Sequence, residues 1–475
     1  MKSVFLKAVS LLLFTLLVSS LAQAWPGSIK TPEEELTAFL RDTKKTNTDA
    51  VIIYKDGKVI YEFYDREYTP KTKHLSWSTA KTMSGILIGV AEGEGLLSIN
   101  DPVKKYLPTF QNNARIIDVL GMASGIKYKE AFEGLPLNLD LTNMLYLEGQ
   151  AKGYVDYMLR NPLSPTGGPG EYFNYSSGDT NILLGVLEKA INNKKVYDRY
   201  PFEKLFKPLG INATFEQDMA GTFVGSAYIY MTAPDFLKMG QLVKNKGVWN
   251  GKQIIPLRYI ELLNRVADGV QKKVQEGNPE NKAYSSQAIT NLPIEGRNQP
   301  SAYDDLPLDS VIMYGFQGQI VASSPSQDLV MVKLSMDAKD MDRLAFYAAT
   351  KKFILAKGYK YETVGDSKTF DEKKQTLKNW SEQPPDDANS GPVASFPHLM
   401  RAFSAKEYCS CRFVIGRSEE ACKDDLNAIL KVLPELKINA ADGTVTAQII
   451  GGLFGQKAIA KYRGTDYGCT LIQSE

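Results

Sequence analysis

The sequence predicts a three-layer α+β fold whose antiparallel sheet is built from both ends of one large region, followed by a small disulfide-linked α+β module. Three observations carry this reading. Runs of β-prone residues occur near residues 51–63 and again at 311–334, with mainly helical patterns between them, which is how a sheet fed from both ends of a chain looks in sequence. A polar, proline-containing stretch then separates the last 80 or so residues from the rest. All four cysteines, Cys409, Cys411, Cys422 and Cys469, lie beyond that stretch.

The chain opens with a targeting pattern. Lys2 and Lys7 precede an apolar run from Ala8 to Leu21, and Ala22-Gln23-Ala24 is a small-x-small cleavage site. The run is short for a bilayer span. Trp25, rather than a cysteine, follows the expected cut, which argues against a lipoprotein anchor. Residues 1–24 therefore read as a signal peptide cleaved after Ala24. The mature chain is expected to be periplasmic or secreted, with no stable membrane anchor.

Residues 25–364 read as the main domain. Thr31-Pro32-Glu33-Glu34-Glu35 is a helix start, with an N-cap, Pro at the first turn and acids on the positive end of the helix dipole. Val51–Tyr54 and Val59–Phe63 are strands joined by Asp56-Gly57, a dipeptide that accepts the positive φ of a tight hairpin. Thr79–Glu92 has helical spacing, with Met83, Ile86, Val90 and Ala91 near one side, and Gly93 and Gly95 end it. From about 100 to 300, short helical patterns alternate with Gly/Pro/Asn loops. Strands return at Val311–Tyr314, Gln319–Ala322 and Leu329–Leu334, and Arg343–Lys357 reads as the closing helix. Residues 365–397 form the linker, with His398 at its Phe-Pro-His end. Residues 398–475 form the module, with strands at Arg412–Ile415, Val445–Ile450 and Ala458–Tyr462 and a helix at Ala421–Leu430.

Composition removes several function classes. The 56 Lys+Arg nearly cancel the 54 Asp+Glu, so no basic face recommends nucleic acid as a partner. A small-molecule, short-peptide or ester substrate is expected instead. Histidine occurs only at 74 and 398, and there is no G-x-S-x-G elbow, so a Ser-His-Asp triad is poorly supported. H-E-x-x-H is absent, and no metal or cofactor is expected. Four cysteines in an exported chain read as two disulfides with three possible connectivities. Zinc is the poorer alternative, because paired C-x₂-C units and a neighbouring His are missing.

The chemistry centres on Ser78-Thr79-Ala80-Lys81, at the start of a predicted helix. Residues three apart share a helix face, which sets the lysine amine over the serine hydroxyl. A serine hydroxyl needs a neighbouring base to become a nucleophile, and this pair supplies one without histidine. A second S-x-x-K, Ser124-Gly125-Ile126-Lys127, has Gly inside and no helix start before it, so its side chains have no reason to align.

The surrounding sequence resembles the serine β-lactamase/penicillin-binding family, and especially its class C, esterase and 6-aminohexanoate-oligomer hydrolase branch. Gly95 to Pro108 is similar to that branch's G-x-L-x-L-x-D-P-V-x-x-Y-L-P segment. Ile117 to Ile126 is similar to its LL-x-M-x-SG-I segment, which makes the second S-x-x-K part of a structural loop. Pro169 to Asn181, around Phe173-Asn174-Tyr175-Ser176-Ser177, is similar to the stretch that carries the family's catalytic tyrosine. The resemblance spans roughly residues 45 to 360 and implies a β-lactamase/transpeptidase-like fold.

It also implies roles. Ser78 is the nucleophile, and Tyr175 and Lys81 are a coupled acid–base pair. Ser177 stands where relatives carry Asn and either donates a hydrogen bond to substrate or Lys81 or is a loop-turn serine. Phe316-Gln317-Gly318 aligns with the K-T-G or H-x-G motif of an inner strand, where Gly318 lets substrate approach, and the backbone N–H groups of Ser78 and Gln319 form the oxyanion hole. Phe316 replaces the usual cation, so the anchor for a substrate carboxylate is missing and a neutral amide or ester is favoured. The alternatives are a β-lactamase or D-Ala-D-Ala peptidase on cell-wall-type substrates, or a catalytically weak penicillin-binding-like sensor. The module, whose Phe413–Ser418 and Tyr467–Leu471 resemble an accessory segment beside such hydrolases, is either a structural cap or a wall of the substrate cleft.

Overall fold

The computed structural model describes residues 30–130, 139–147, 152–272, 283–337, 343–367, 396–430, 434–449 and 457–474. Residues 1–24, expected to be a signal peptide, and most of the linker stretch lie outside the described residues.

Six antiparallel strands form the main sheet in the order β2-β1-β11-β10-β9-β8. They are β1 (Thr48–Lys55), β2 (Lys58–Tyr64), β8 (Ile289–Thr290), β9 (Val311–Gly315), β10 (Gln319–Ser324) and β11 (Leu329–Ser335). The first strand of the chain thus pairs directly with the last of the domain, β1 lying against β11, while β2 pairs on the outer side of β1. Asp56 (φ 49°) and Gly57 (φ 84°) turn the β1–β2 hairpin in the left-handed conformation that the dipeptide predicts.

The sheet is buried on both faces, which is why β1 reads as a continuous apolar run rather than an alternation. Val51 and Ile53 point into one core with Leu36 and Leu40 of helix α1 (Pro32–Leu40) and Phe353 and Ile354 of the closing helix Arg343–Ala356. Ala50 and Ile52 point into the other, with Phe236 and Met239 of the helix Ala233–Lys244. Those two faces and their helices are the three layers.

Helix α2 (Thr79–Gly93) runs through the second core, and every residue from Thr79 to Ala91 is buried. The one-sided apolar pattern in the sequence understates this, because the helix also buries polar groups with partners. Thr82 Oγ1 donates to Gln287 O at 2.7 Å, and Ser84 Oγ donates to Gly225 O at 2.9 Å. A small sheet, β3 (Lys73–Leu75), β5 (Ile229–Thr232) and β4 (Thr214–Phe215), leads into this helix, and β6 (Val248–Trp249) with β7 (Lys252–Gln253) forms a separate ribbon.

The C-terminal region is a four-stranded meander, β12 (Glu435–Asn439), β13 (Thr444–Gln448), β14 (Lys457–Tyr462) and β15 (Cys469–Ser474), with helix α3 (Phe396–Cys409) packed on it. Disulfides join Cys409 to Cys469 and Cys411 to Cys422. Three sequence expectations change here. Arg412–Ile415 is not a strand: α3 continues into a π-helical turn, Ser410–Ile415, that ends at Gly416 (φ 81°). Its apolar residues invite the strand reading, but the disulfide from Cys411 to the helix Glu419–Leu430 ties this turn to its neighbour. His398 belongs to α3 rather than to a linker. The strands β12 and β15 were not expected, and β12 is a largely solvent-facing strand whose residues carry little apolar signal.

This region shares a core with the main domain. Leu399, Phe403, Tyr408, Cys469 and Leu471 belong to one buried cluster with Tyr146, Phe215 and Tyr228. Phe215 N donates to Asp466 O at 2.8 Å, so the edge of the small sheet meets the module through its backbone.

Candidate active site

Ser78 is placed by the turn that joins β3 to α2. Ser76 N donates to Ile229 O at 2.8 Å and Ser76 Oγ to Ala227 O at 2.7 Å, which fixes the approach. Trp77 then takes φ 44°, a conformation that costs a bulky residue energy and recurs at functional turns. Ser78 itself has helical backbone angles, and its side chain makes no capping bond. The ordinary helix-capping explanation of this serine therefore fails.

Its hydroxyl instead meets Lys81, whose Nζ donates to Ser78 Oγ at 2.9 Å. Lys81 is 1% exposed. The same ammonium donates to Ser177 Oγ at 2.8 Å and to Ser226 O at 3.1 Å, while Glu130 Oε1 lies 3.9 Å away. Ser177 begins the helix α4 here defined as Ser177–Ile191, after the capping Ser176. Its Oγ donates to Glu130 Oε1 at 2.7 Å, and its backbone N–H donates to Glu130 Oε2. Ser177 is thus a bridge between the lysine and a buried carboxylate, and its short reach suffices. Glu130 was missed, because it sits in a loop with neither period nor motif. Ser226 was also missed, because it contributes only a carbonyl.

Tyr175 lies beside this cluster, 7% exposed, with Lys81 Nζ 5.0 Å from its ring centroid and Tyr284 edge-on at 5.8 Å. The loop that carries the second S-x-x-K holds the tyrosine in place. Asn174 N donates to Met122 O at 2.8 Å, and Asn174 Nδ2 donates to Tyr128 O at 3.0 Å. Ser124 Oγ donates to Asp179 Oδ1 at 2.7 Å, within α4. Burial pushes the Asp179 carboxyl up to about 7, against the opposing pull of its hydrogen bonds from Ser124 and Ser176.

The end of β9 closes the site from the other side. A side chain at Gly315 would stand 2.7 Å from Ser76 O, so only glycine lets this strand end approach the serine turn so closely. Phe316-Gln317-Gly318 is a tight turn after β9 and not part of an inner strand, because the hairpin already pairs Gly315 with Gln319. Phe316 stacks edge-on against Trp77 at 5.5 Å, and Gln317 (φ 60°) accepts a hydrogen bond from Trp77 Nε1 at 3.1 Å. Gly318 (φ 83°) faces the end of β11: a Cβ there would lie 2.4 Å from Asp337 Oδ2. The side chain of Gln319 donates to Phe316 O at 3.0 Å and Ser335 O at 2.6 Å, which ties the turn to the end of β11.

The structure therefore brings Ser78, Lys81, Tyr175 and Ser177 into one cluster and sets the Phe316–Gln319 turn against the residue preceding Ser78. Both histidines stand apart from it in role: His74 is buried with its ring nitrogens on Asp49 Oδ2 at 3.0 Å and Leu75 O at 2.9 Å, and His398 lies in α3.

Comparison with known proteins gives consistent relatives. The chain is 24% identical over 308 residues to a 6-aminohexanoate-dimer hydrolase of Paenarthrobacter ureafaciens, covering 62% of this chain and 73% of the relative. It is 26% identical over 242 residues to the teichoic acid D-alanine hydrolase of Staphylococcus aureus, covering 44% and 57%. Among solved structures, a β-lactamase/D-alanine carboxypeptidase from Yersinia pestis complexed with citrate superposes with a TM-score of 0.51 at 15% identity, over 69% of this chain and 98% of the other. That likeness is one of fold. Residues 35–349 match the family model described as Beta-lactamase, and with two thirds of its length inside that match the chain belongs to the Beta-lactamase family.

Proposed function

We propose that this protein is an exported serine hydrolase that cleaves a neutral amide or ester through a covalent Ser78 acyl-enzyme. The observation that carries the reading is the 2.9 Å contact between Lys81 Nζ and Ser78 Oγ inside a buried polar cluster, beside Tyr175. Lys81 and Tyr175 act as one acid–base unit. They take the Ser78 proton as Oγ attacks the carbonyl carbon, and they return a proton to the leaving amine or alcohol as its bond breaks. Water then attacks the acyl-enzyme and the same pair exchanges protons in reverse. The backbone N–H groups of Ser78 and Gln319 face the developing oxyanion. Glu130, acting through Ser177, orients the lysine.

Relatives named as hydrolases of a 6-aminohexanoate dimer and of teichoic acid D-alanine support hydrolysis as the reaction class. Phe316, in place of a cation, argues for a substrate without a carboxylate at that point. Two disulfides fit an oxidising, extracytoplasmic compartment. The test is a panel of activated esters and anilides without carboxylates, run beside a penicillin, with wild type and Ser78→Ala. Neutral substrates are expected to turn over faster than penicillin and only with Ser78 present. Equal turnover by Ser78→Ala, or turnover of penicillin alone, overturns the reading.

A further inference from the structure

Lys333 is a buried charge that the proposed reaction leaves unexplained. It lies on β11 opposite Val51 of β1 and Ile320 of β10, two residues of the apolar core beneath the closing helix. It is 2% exposed, and burial pushes its ammonium down against the opposing pull of Asp337. A buried ion pair loses the hydration of both charges, and apolar side chains of similar size often hold a fold as well. What distinguishes this pair is where its hydrogen bonds end. Lys333 Nζ donates to Asp337 Oδ2 and, at 2.7 Å, to Ser335 Oγ. Ser335 Oγ donates in turn to Gln317 O at 2.7 Å, and Asp337 N donates to the same carbonyl at 3.1 Å. The other carboxylate oxygen, Asp337 Oδ1, accepts from Thr46 Oγ1 at 2.9 Å and from Asn47 N at 2.7 Å, which anchors it to the segment entering β1.

Two donors on one carbonyl fix the peptide between Gln317 (φ 60°) and Gly318, in a turn whose left-handed backbone is costly to hold. Gly318 lets that turn rest on the buried groups, since a Cβ there would lie 2.6 Å from Ser335 Oγ as well as against Asp337. From Gln317 the contact passes to the nucleophile turn, because its Oε1 accepts from Trp77 Nε1 at 3.1 Å and Trp77 precedes Ser78. We propose that Lys333, Asp337 and Ser335 are positioning residues, which hold the Phe316–Gly318 turn against Trp77 and so set the backbone around the proposed oxyanion site. This rests on the hydrolase reading above and deepens it. Donors aimed at a developing oxyanion act on the transition state, so slack in this turn slows acyl transfer more than it weakens substrate binding.

Two variants separate positioning from folding. Ser335→Ala removes one hydroxyl and leaves both charges paired. The double variant Lys333→Met/Asp337→Asn removes both charges together and keeps an acceptor for Thr46 and Asn47, so no charge is left stranded. With an activated neutral ester, kcat and kcat/KM are expected to fall together, about tenfold in Ser335→Ala and about a hundredfold in the double variant, at a nearly unchanged KM and urea midpoint. Ser335→Thr, which restores the hydroxyl, is expected to recover most of the loss. Trp77 supplies a reading that needs no substrate. In protein labelled with ¹⁵N-tryptophan, its indole N–H resonance, assigned by Trp77→Phe, is expected to move upfield in both variants as the bond to Gln317 loosens. An unchanged kcat in both variants overturns the positioning role, whether or not the resonance moves. So does a kcat loss that only follows a lowered urea midpoint and is not recovered by Ser335→Thr. If the wild-type protein never hydrolyses an ester through Ser78, the hydrolase reading falls and this role falls with it; normal wild-type turnover beside unimpaired variants sinks the positioning role alone.

Discussion

Lys81 and Lys406 are both buried lysines with a serine and a glutamate for company, yet the two sites are built for opposite ends. Lys406 meets Glu216 Oε2 directly at 2.6 Å, donates to Ser410 Oγ at 3.0 Å, and lies 3.7 Å from the centroid of the Tyr228 ring. Its charge is pinned between two regions of the chain. Lys81 stands 3.9 Å from Glu130, with Ser177 inserted between them, and spends its remaining hydrogens on Ser78 Oγ and a carbonyl. Direct contact of ammonium and carboxylate fixes a proton, whereas a hydroxyl interposed between them keeps the lysine oriented without locking it. On the proposed mechanism, the difference separates a lysine that joins two regions from one that exchanges a proton with its serine.

The comparison can be broken by exchanging its readouts. Lys81→Met is expected to lower turnover of an activated ester about a thousandfold while the protein remains folded, measured by steady-state kinetics and circular dichroism. Lys406→Met is expected to act on stability instead. It strands Glu216 in a site where burial already pushes the carboxyl up to about 7 in spite of the lysine. A loss of about 3 kcal/mol in urea unfolding at pH 8 is expected, shrinking toward pH 5 where Glu216 takes up its proton.

Asp179 sharpens the same contrast from the positioning loop. Its folded-state carboxyl titrates at about 7, raised above the ordinary carboxylate value by burial. A raised acid favours the native state below its unfolded pKa, and that advantage is lost as pH rises toward and through 7. Asp179→Asn is therefore expected to reduce the wild-type decline in stability between pH 4 and pH 8 by up to about 4 kcal/mol, read from denaturant midpoints across that range. The smallest effect belongs to Ser177→Ala. Removing the bridge between Lys81 and Glu130 is expected to lower kcat about tenfold with little change in unfolding midpoint. A stability loss without a kcat change would move Ser177 into the structural class of Ser410.

Much of this is legible in the sequence because the relevant physics is local. Asp56-Gly57 announces its hairpin through turn chemistry, and the unbroken Val51-Ile52-Ile53 run announces a strand covered on both faces. Ser78 and Lys81 are joined by helix spacing, and Tyr175 by the motif around it. What stays hidden depends on long-range contact. Glu130 reaches Ser177 from a loop 47 positions away, and Glu407 reaches Tyr228 across 179. Phe413-Val414-Ile415 carries strand-like residues, yet a helix running into it and a disulfide at Cys411 hold it as a helical turn. The third motif is recognisable as residues but misplaced as structure, since Gly315 ends the strand before Phe316 begins.

The central claim is that Ser78 is a nucleophile activated by Lys81, and intact-mass spectrometry with peptide mapping tests it most directly. Protein treated with a fluorophosphonate is expected to gain one adduct, mapped to Ser78, at a rate that collapses in Lys81→Met and vanishes in Ser78→Ala. A protein that takes up no adduct, or one whose adduct persists on Ser78→Ala, contradicts the account.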